Sequence, residues 1–99
     1  LNLAGGLKIK DPANDLAVVA AILSSSLDLP LDRDTCFAGE VGLSGEIRPV
    51  ARLEERMSEA SRLGMKRMLV SGHGKTPPIP KGLTIVAIKR VSEIQRVIF

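Results

Sequence analysis

The sequence predicts an α+β domain in which three helices alternate with short strands. Residues 16–27 and 53–63 repeat their apolar side chains at helical spacing. Residues 35–41, 46–50, 65–71 and 83–88 are instead short strand-type runs bounded by Gly and Pro. Size agrees: 99 residues with 44% apolar and 25% charged content suit one domain around one core. That core must be aliphatic, because the chain has no Trp, no Tyr and only Phe37 and Phe99 as aromatics.

Residues 1–10 begin as a strand. Leu7 and Ile9 alternate with Lys8 and Lys10, which puts both lysines on one face, and Gly5-Gly6 permits a bulge. Asp11-Pro12 starts a helix: Asp suits the N-cap and Pro the first helical position. This helix runs to about Leu27 with Leu16, Val19, Ala20, Leu23 and Leu27 in one stripe. Ala17, Val18, Ala21 and Ile22 make most of the remaining surface apolar, so burial on more than one side is expected, between a sheet and other chain or at a subunit contact. Pro30 marks a turn within 28–34. A strand at 35–41 and a second at 46–50 form a hairpin about Leu43-Ser44, with Pro49 near its end. The second helix, 52–63, carries Leu53, Met57, Ala60 and Leu63 on one side and stops at Gly64. A buried-type strand follows within 65–71, then a Gly- and Pro-rich loop at 72–82 and a last strand at 83–88. Ser92 to Gln95 reads as a capping box that opens a final helix.

The net charge of +3 is unevenly placed. Residues 1–51 carry 4 basic and 7 acidic side chains, and residues 52–99 carry 10 basic and 4 acidic. A basic half attracts phosphate backbones, although few aromatics leave little for base stacking. The longest apolar run, 16–23, has 8 residues, too short to span a membrane, so no membrane partner is expected. The single cysteine, Cys36, excludes an internal disulfide framework and a multi-cysteine zinc site, and fits a cytoplasmic setting.

Several motifs fail on inspection. Gly74-Lys75-Thr76 matches the tail of a P-loop, but Leu69 stands where the first Gly belongs and Pro77-Pro78 follow where a helix must open. Gly39, Gly42 and Gly45 lack the dinucleotide spacing and suit hairpin geometry. His73 is the only histidine and has no second ligand beside it. No cofactor or metal site is expected in these residues.

The stretch G-E-V-G-L-S-G-E-I-R-P-V at 39–50, the helix after it and K-R-M-L-V at 66–70 resemble the proteolytic domain of Lon-type proteases. With A-G-G-L-K-I at 4–9 and D-L-A-V at 15–18, the whole chain is more similar to the Lon-like C-terminal domain of the bacterial RadA (Sms) family of DNA recombination and repair ATPases. The resemblance implies a mixed β-sheet flanked by helices, in a subunit of a hexameric ring. It makes residues 1–99 one Lon-like C-terminal domain lacking its N-terminal strands, and the opening Leu1 already suggests a fragment of a longer chain. Lon enzymes use a Ser-Lys dyad; Ala13 falls at the Ser position and Arg56 at the Lys position. Ala has no nucleophile and Arg is never deprotonated near neutral pH, so no catalytic residue is expected.

What the resemblance implies is a scaffold that supports ring assembly and holds single-stranded or branched DNA without reading its sequence. Lys8, Lys10, Arg48, Arg52 and Arg56 are the candidate phosphate contacts. ATP, Mg and Zn would belong to other domains of the parent, which would act as an ATP-driven branch-migration motor beside a RecA-like recombinase. An active Lon-type serine peptidase and an oligomerisation module without DNA contact are the alternatives.

Overall fold

In the computed structural model, which describes residues 11–99, the chain enters at Asp11. The expected strand at 1–10, with Lys8 and Lys10, lies outside the described residues. The Asp11 carboxylate accepts from the backbone N–H of Ala13 at 3.1 Å, capping a 3-10 turn at Pro12–Asn14. Helix α1, Asp15–Leu27, continues from that turn and ends at Asp28 in a left-handed conformation (φ 56°). Leu16 and Ala20 are buried, but Val18 and Ile22 remain 48% and 61% exposed. Among the described residues α1 is therefore covered on one side, and its Val18 and Ile22 side is open in the single chain.

Strand β1, Thr35–Ala38, is followed by β2, Glu40–Val41, and β3, Ile47–Arg48. Helix α2 is Leu53–Arg62, β4 is Arg67–Ser71, β5 is Thr84–Ile88, and α3 is Ile94–Ile98. The expected single strand at 35–41 is broken at Gly39. Its N–H donates to the Ala13 carbonyl (3.1 Å) and its carbonyl accepts from Leu16 N–H (3.0 Å), so both groups serve the start of α1 rather than a ladder. No side chain fits there: a Cβ on Gly39 would lie 2.9 Å from Ile47 Cγ2 and 3.0 Å from Leu16 Cδ2.

Among the described residues the break separates a parallel sheet from an antiparallel hairpin, and a bridge between Glu46 and Arg90 ties the hairpin to the chain just beyond β5. β1, β4 and β5 form a parallel sheet in the order β1-β4-β5, and β2 pairs antiparallel with β3. The hairpin strands are shorter than expected, since Pro49 has no N–H to extend the ladder. The expected capping box at Ser92 and Gln95 is displaced. Glu93 instead reaches back to accept from the N–H groups of Lys89 (3.2 Å) and Arg90 (3.0 Å), so a 3-10 turn at Val91–Glu93 leads into α3. Arg52 is likewise the left-handed residue before α2 (φ 60°), not its first helical residue.

The parallel sheet divides the core by the two-residue alternation of its strands. Ala38, Met68 and Val70 face Met57 and Ala60 of α2. Leu69 and Ile88 face Leu16 of α1, Ile94 of α3 and Ile47 of the hairpin. The connection from β4 to β5 is the expected Gly- and Pro-rich loop, which carries His73 and Lys75 exposed. Among the described residues no helix is long and apolar enough to cross a membrane.

Candidate functional site

The 3-10 turn at the head of α1 and the first turn of α2 meet at one carboxylate. Ala13 is buried on the turn. Arg56 donates from Nη1 and Nη2 to the two oxygens of Asp11, each at 3.3 Å, and from Nε to the Ala51 carbonyl at 2.9 Å. Asp11 thus holds Ala13 N–H and the Arg56 guanidinium together, and residues 13 and 56 become neighbours across it. The bond from Ala13 N–H and the Arg56 contacts hold the Asp11 carboxyl below its ordinary pKa. This paired cation and carboxylate has no hydroxyl at position 13, so it supplies structure rather than a nucleophile. Asp11 was legible as a cap, but its partner lies 45 residues away and no local pattern announces it.

A cleft of about 740 Å³ opens beside this pair, between α2 and β1. Its rim carries Asn14, Arg52, Glu55 and Glu59, and its floor includes Cys36, Met65 and Met68. Cys36 is half-buried, with Sγ 3.6 Å from the Arg67 carbonyl that accepts from it, and burial pushes its thiol pKa up. A raised pKa keeps the thiol protonated and unreactive.

The described candidate arginines differ in freedom. Arg48 is half-exposed and paired with Glu46 at 2.9 Å. Arg52 is largely exposed and reaches Glu55 only at 3.9 Å. Arg56 is the most enclosed, because all three of its guanidinium nitrogens already donate.

Sequence reasoning passed over a second group of cations. Lys75 follows β4, and Lys89 and Arg90 follow β5, all exposed at the C-terminal end of the parallel sheet. The hairpin joins them there: Ile47 N–H donates to the Lys89 carbonyl at 2.8 Å, and the Arg90 guanidinium donates to the Ser44 carbonyl. Gly72 lies against the Lys89 stem, and Gly74 lies beside Pro49. In sequence these are isolated loop cations; only the parallel topology gathers them. Among the described residues no three His, Cys, Asp or Glu side chains come together as a metal site.

Comparison with known proteins places relatives beside this geometry. A family model described as subunit ChlI of Mg-chelatase matches residues 1–73. The chain is 46% identical over 99 residues to DNA repair protein RadA of Bacillus subtilis, covering 97% of this chain and 21% of that protein. It is 41% identical over 100 residues to DNA repair protein RadA of Streptococcus pneumoniae, covering 100% of this chain and 24% of the relative. The DNA repair protein RadA of Pseudomonas aeruginosa is 41% identical over 99 residues, with 100% and 22% covered. The chain thus spans about a fifth of the length of the curated relatives it matches.

Proposed function

The chain belongs to the family described as subunit ChlI of Mg-chelatase, and on that premise we propose that it is a Lon-like, proteolytically inactive C-terminal domain of a RadA-like DNA repair protein. Its role in that protein is to support a hexameric ring and to hold single-stranded or branched DNA. The observation that carries the reading is the 46% identity to RadA over 97% of this chain. ATP, Mg and Zn act in other domains of the parent, and a RecA-like recombinase is the protein partner of the whole assembly.

Ala13 and Arg56 support the absence of proteolysis. Alanine offers no attacking atom, and the Asp11 carboxylate keeps the Arg56 guanidinium occupied. A serine-directed covalent probe should leave the domain unlabelled; labelling would restore the peptidase alternative. The exposed Val18 and Ile22 on α1 support subunit contact, because adjacent exposed apolar side chains mark interfaces.

DNA holding is electrostatic in this account. Lys8, Lys10, Arg48 and Arg52 supply phosphate contacts, while Arg56 is occupied by Asp11. In the parent protein, replacing Lys8, Lys10 and Arg48 by Ala should weaken binding equally for all single-stranded sequences. Each lost contact should reduce the slope of log affinity against log salt by roughly 0.7. Unchanged affinity and slope would favour an oligomerisation module without DNA contact. The Glu46 partner of Arg48 gives that second reading its support.

A further inference from the structure

We propose that the C-terminal end of the parallel sheet is a track for the phosphate backbone of single-stranded DNA, on which Lys75, Lys89 and Arg90 join Arg48 and Arg52. The proposal rests on the DNA-holding reading above and puts part of that contact on residues outside it. Strands β1, β4 and β5 run the same way, so the segments that follow Ala38, Ser71 and Ile88 all emerge at one edge. Lys75 follows β4, and Lys89 and Arg90 follow β5. Beyond β1, Gly39 bonds to Ala13 and Leu16 at the head of α1, and Asp11 at that head holds Arg56. Arg52 stands one turn before Arg56, whose N–H donates to the Arg52 carbonyl at 3.1 Å. Strands lie about 4.8 Å apart, so the three strand ends span roughly 10 Å.

The β2–β3 hairpin draws the cations together. Ile47 N–H donates to the Lys89 carbonyl at 2.8 Å, and Ser71 Oγ donates to the Ile47 carbonyl at 2.7 Å, so Arg48 leaves the ladder beside both strand ends. Pro49 lies beside Gly74, the residue before Lys75. A Cβ on Gly72 would lie 2.9 Å from Lys89 Cγ, so glycine leaves room for the lysine stem across the end of β4. Arg48, Lys75, Lys89 and Arg90 are all exposed. Among the described residues Lys75, Lys89 and Arg90 form no salt bridge. The carboxylates bonded to this edge are engaged: Glu46 pairs with Arg48, and Glu93 accepts from the backbone N–H groups of Lys89 and Arg90. The edge therefore keeps an excess of positive charge, which phosphates neutralise without any base being read. A strand fits it better than a compact anion, because the cations come from separate connections and are spread along an edge. Neither aromatic of the chain adjoins these cations, since Phe37 lies within β1 and Phe99 follows α3, so stacking of bases has no platform here. The similarity to DNA repair protein RadA along the chain names the polyanion.

The test uses the whole protein that carries this domain, with a fluorescent oligothymidylate titrated at several salt concentrations. Lys75→Gln with Lys89→Gln removes two exposed charges and spares the Arg90 side chain that holds the Ser44 carbonyl. The charge-matched control is Lys66→Gln with Lys81→Gln, two exposed lysines that precede β4 and β5 at the opposite end of the sheet. The track pair should reduce the slope of log affinity against log salt by roughly 1.4, about 0.7 for each lost contact, and weaken binding roughly tenfold at low salt. Lys75→Gln alone should give about half the change in slope, and the control pair should leave slope and affinity at the wild-type values. Equal losses in the two pairs overturn the track, because overall charge then explains both. An unchanged track pair, beside a weakened Lys8, Lys10 and Arg48 variant, overturns the track and leaves the DNA-holding reading standing; this is also the outcome if the edge serves an acidic protein. If neither set of substitutions alters binding, the DNA-holding reading and this proposal fall together.

Discussion

Asp11 shows how one side chain joins two distant segments. It caps the turn at Ala13 and binds both terminal nitrogens of Arg56. Both partners are about one-third exposed, so solvent limits what the pair contributes. Arg56→Ala should destabilise the fold by about 1 kcal/mol in urea unfolding, since bidentate geometry places this pair at the upper end for partly exposed ions. Arg56→Lys should recover only part of that loss, because lysine cannot span both oxygens. The pH dependence follows from the lowered Asp11 pKa. A carboxyl with a depressed folded pKa stabilises above its unfolded pKa and loses that contribution as pH falls through the folded value. The stability gap between wild type and Asp11→Asn should therefore be widest at neutral pH and close in acid below the usual carboxylate range. A gap that widens in acid would contradict the pairing. Cys36 follows the opposite sign: with its pKa raised by burial, it should alkylate more slowly at neutral pH than a free thiol in solution.

Elements with a strong local period were legible in the sequence. The α2 stripe of Met57 and Ala60, the β4 run through Val70 and the loop before β5 all stand where the pattern put them. The break at Gly39 was not, because nothing in T-C-F-A-G-E-V shows that the glycine's N–H and carbonyl turn to the head of α1. Gly39→Ala should cost about 1–3 kcal/mol, since the added Cβ lies within 3.0 Å of Ile47 and Leu16 side-chain carbons. Leu69→Ala tests the same core from the middle strand of the parallel sheet. Leu69 is fully buried in the middle strand among Leu16, Ile47, Ile88 and Ile94, so its truncation should cost about 2–5 kcal/mol. Denaturant unfolding measures both. A Gly39→Ala variant as stable as wild type would mean that α1 and the hairpin can move apart without penalty.

Across the whole molecule, the candidate site was legible through the family resemblance and not through local pattern. Ala13 and Arg56 were picked out through the resemblance to the Lon dyad, and the fold brings them together across Asp11. The cations at the end of β4 and β5 were invisible as a group, because parallel pairing joins residues separated by long connections. The apolar character of the whole α1 surface was legible, but composition does not report what covers its Val18 and Ile22 side. Similarity to RadA along this chain, the paired Arg56 and the exposed apolar side chains are the observations behind the proposed reading of a domain that assembles and holds rather than cuts. Sedimentation of the whole protein with labelled single-stranded DNA tests this most directly. The account predicts that protein and DNA migrate together as a multi-chain species, and that Val18→Glu with Ile22→Glu reduces its size while the domain stays folded. A doubly substituted protein with wild-type mass, or a wild type that sediments as single chains with the DNA left free, would contradict it.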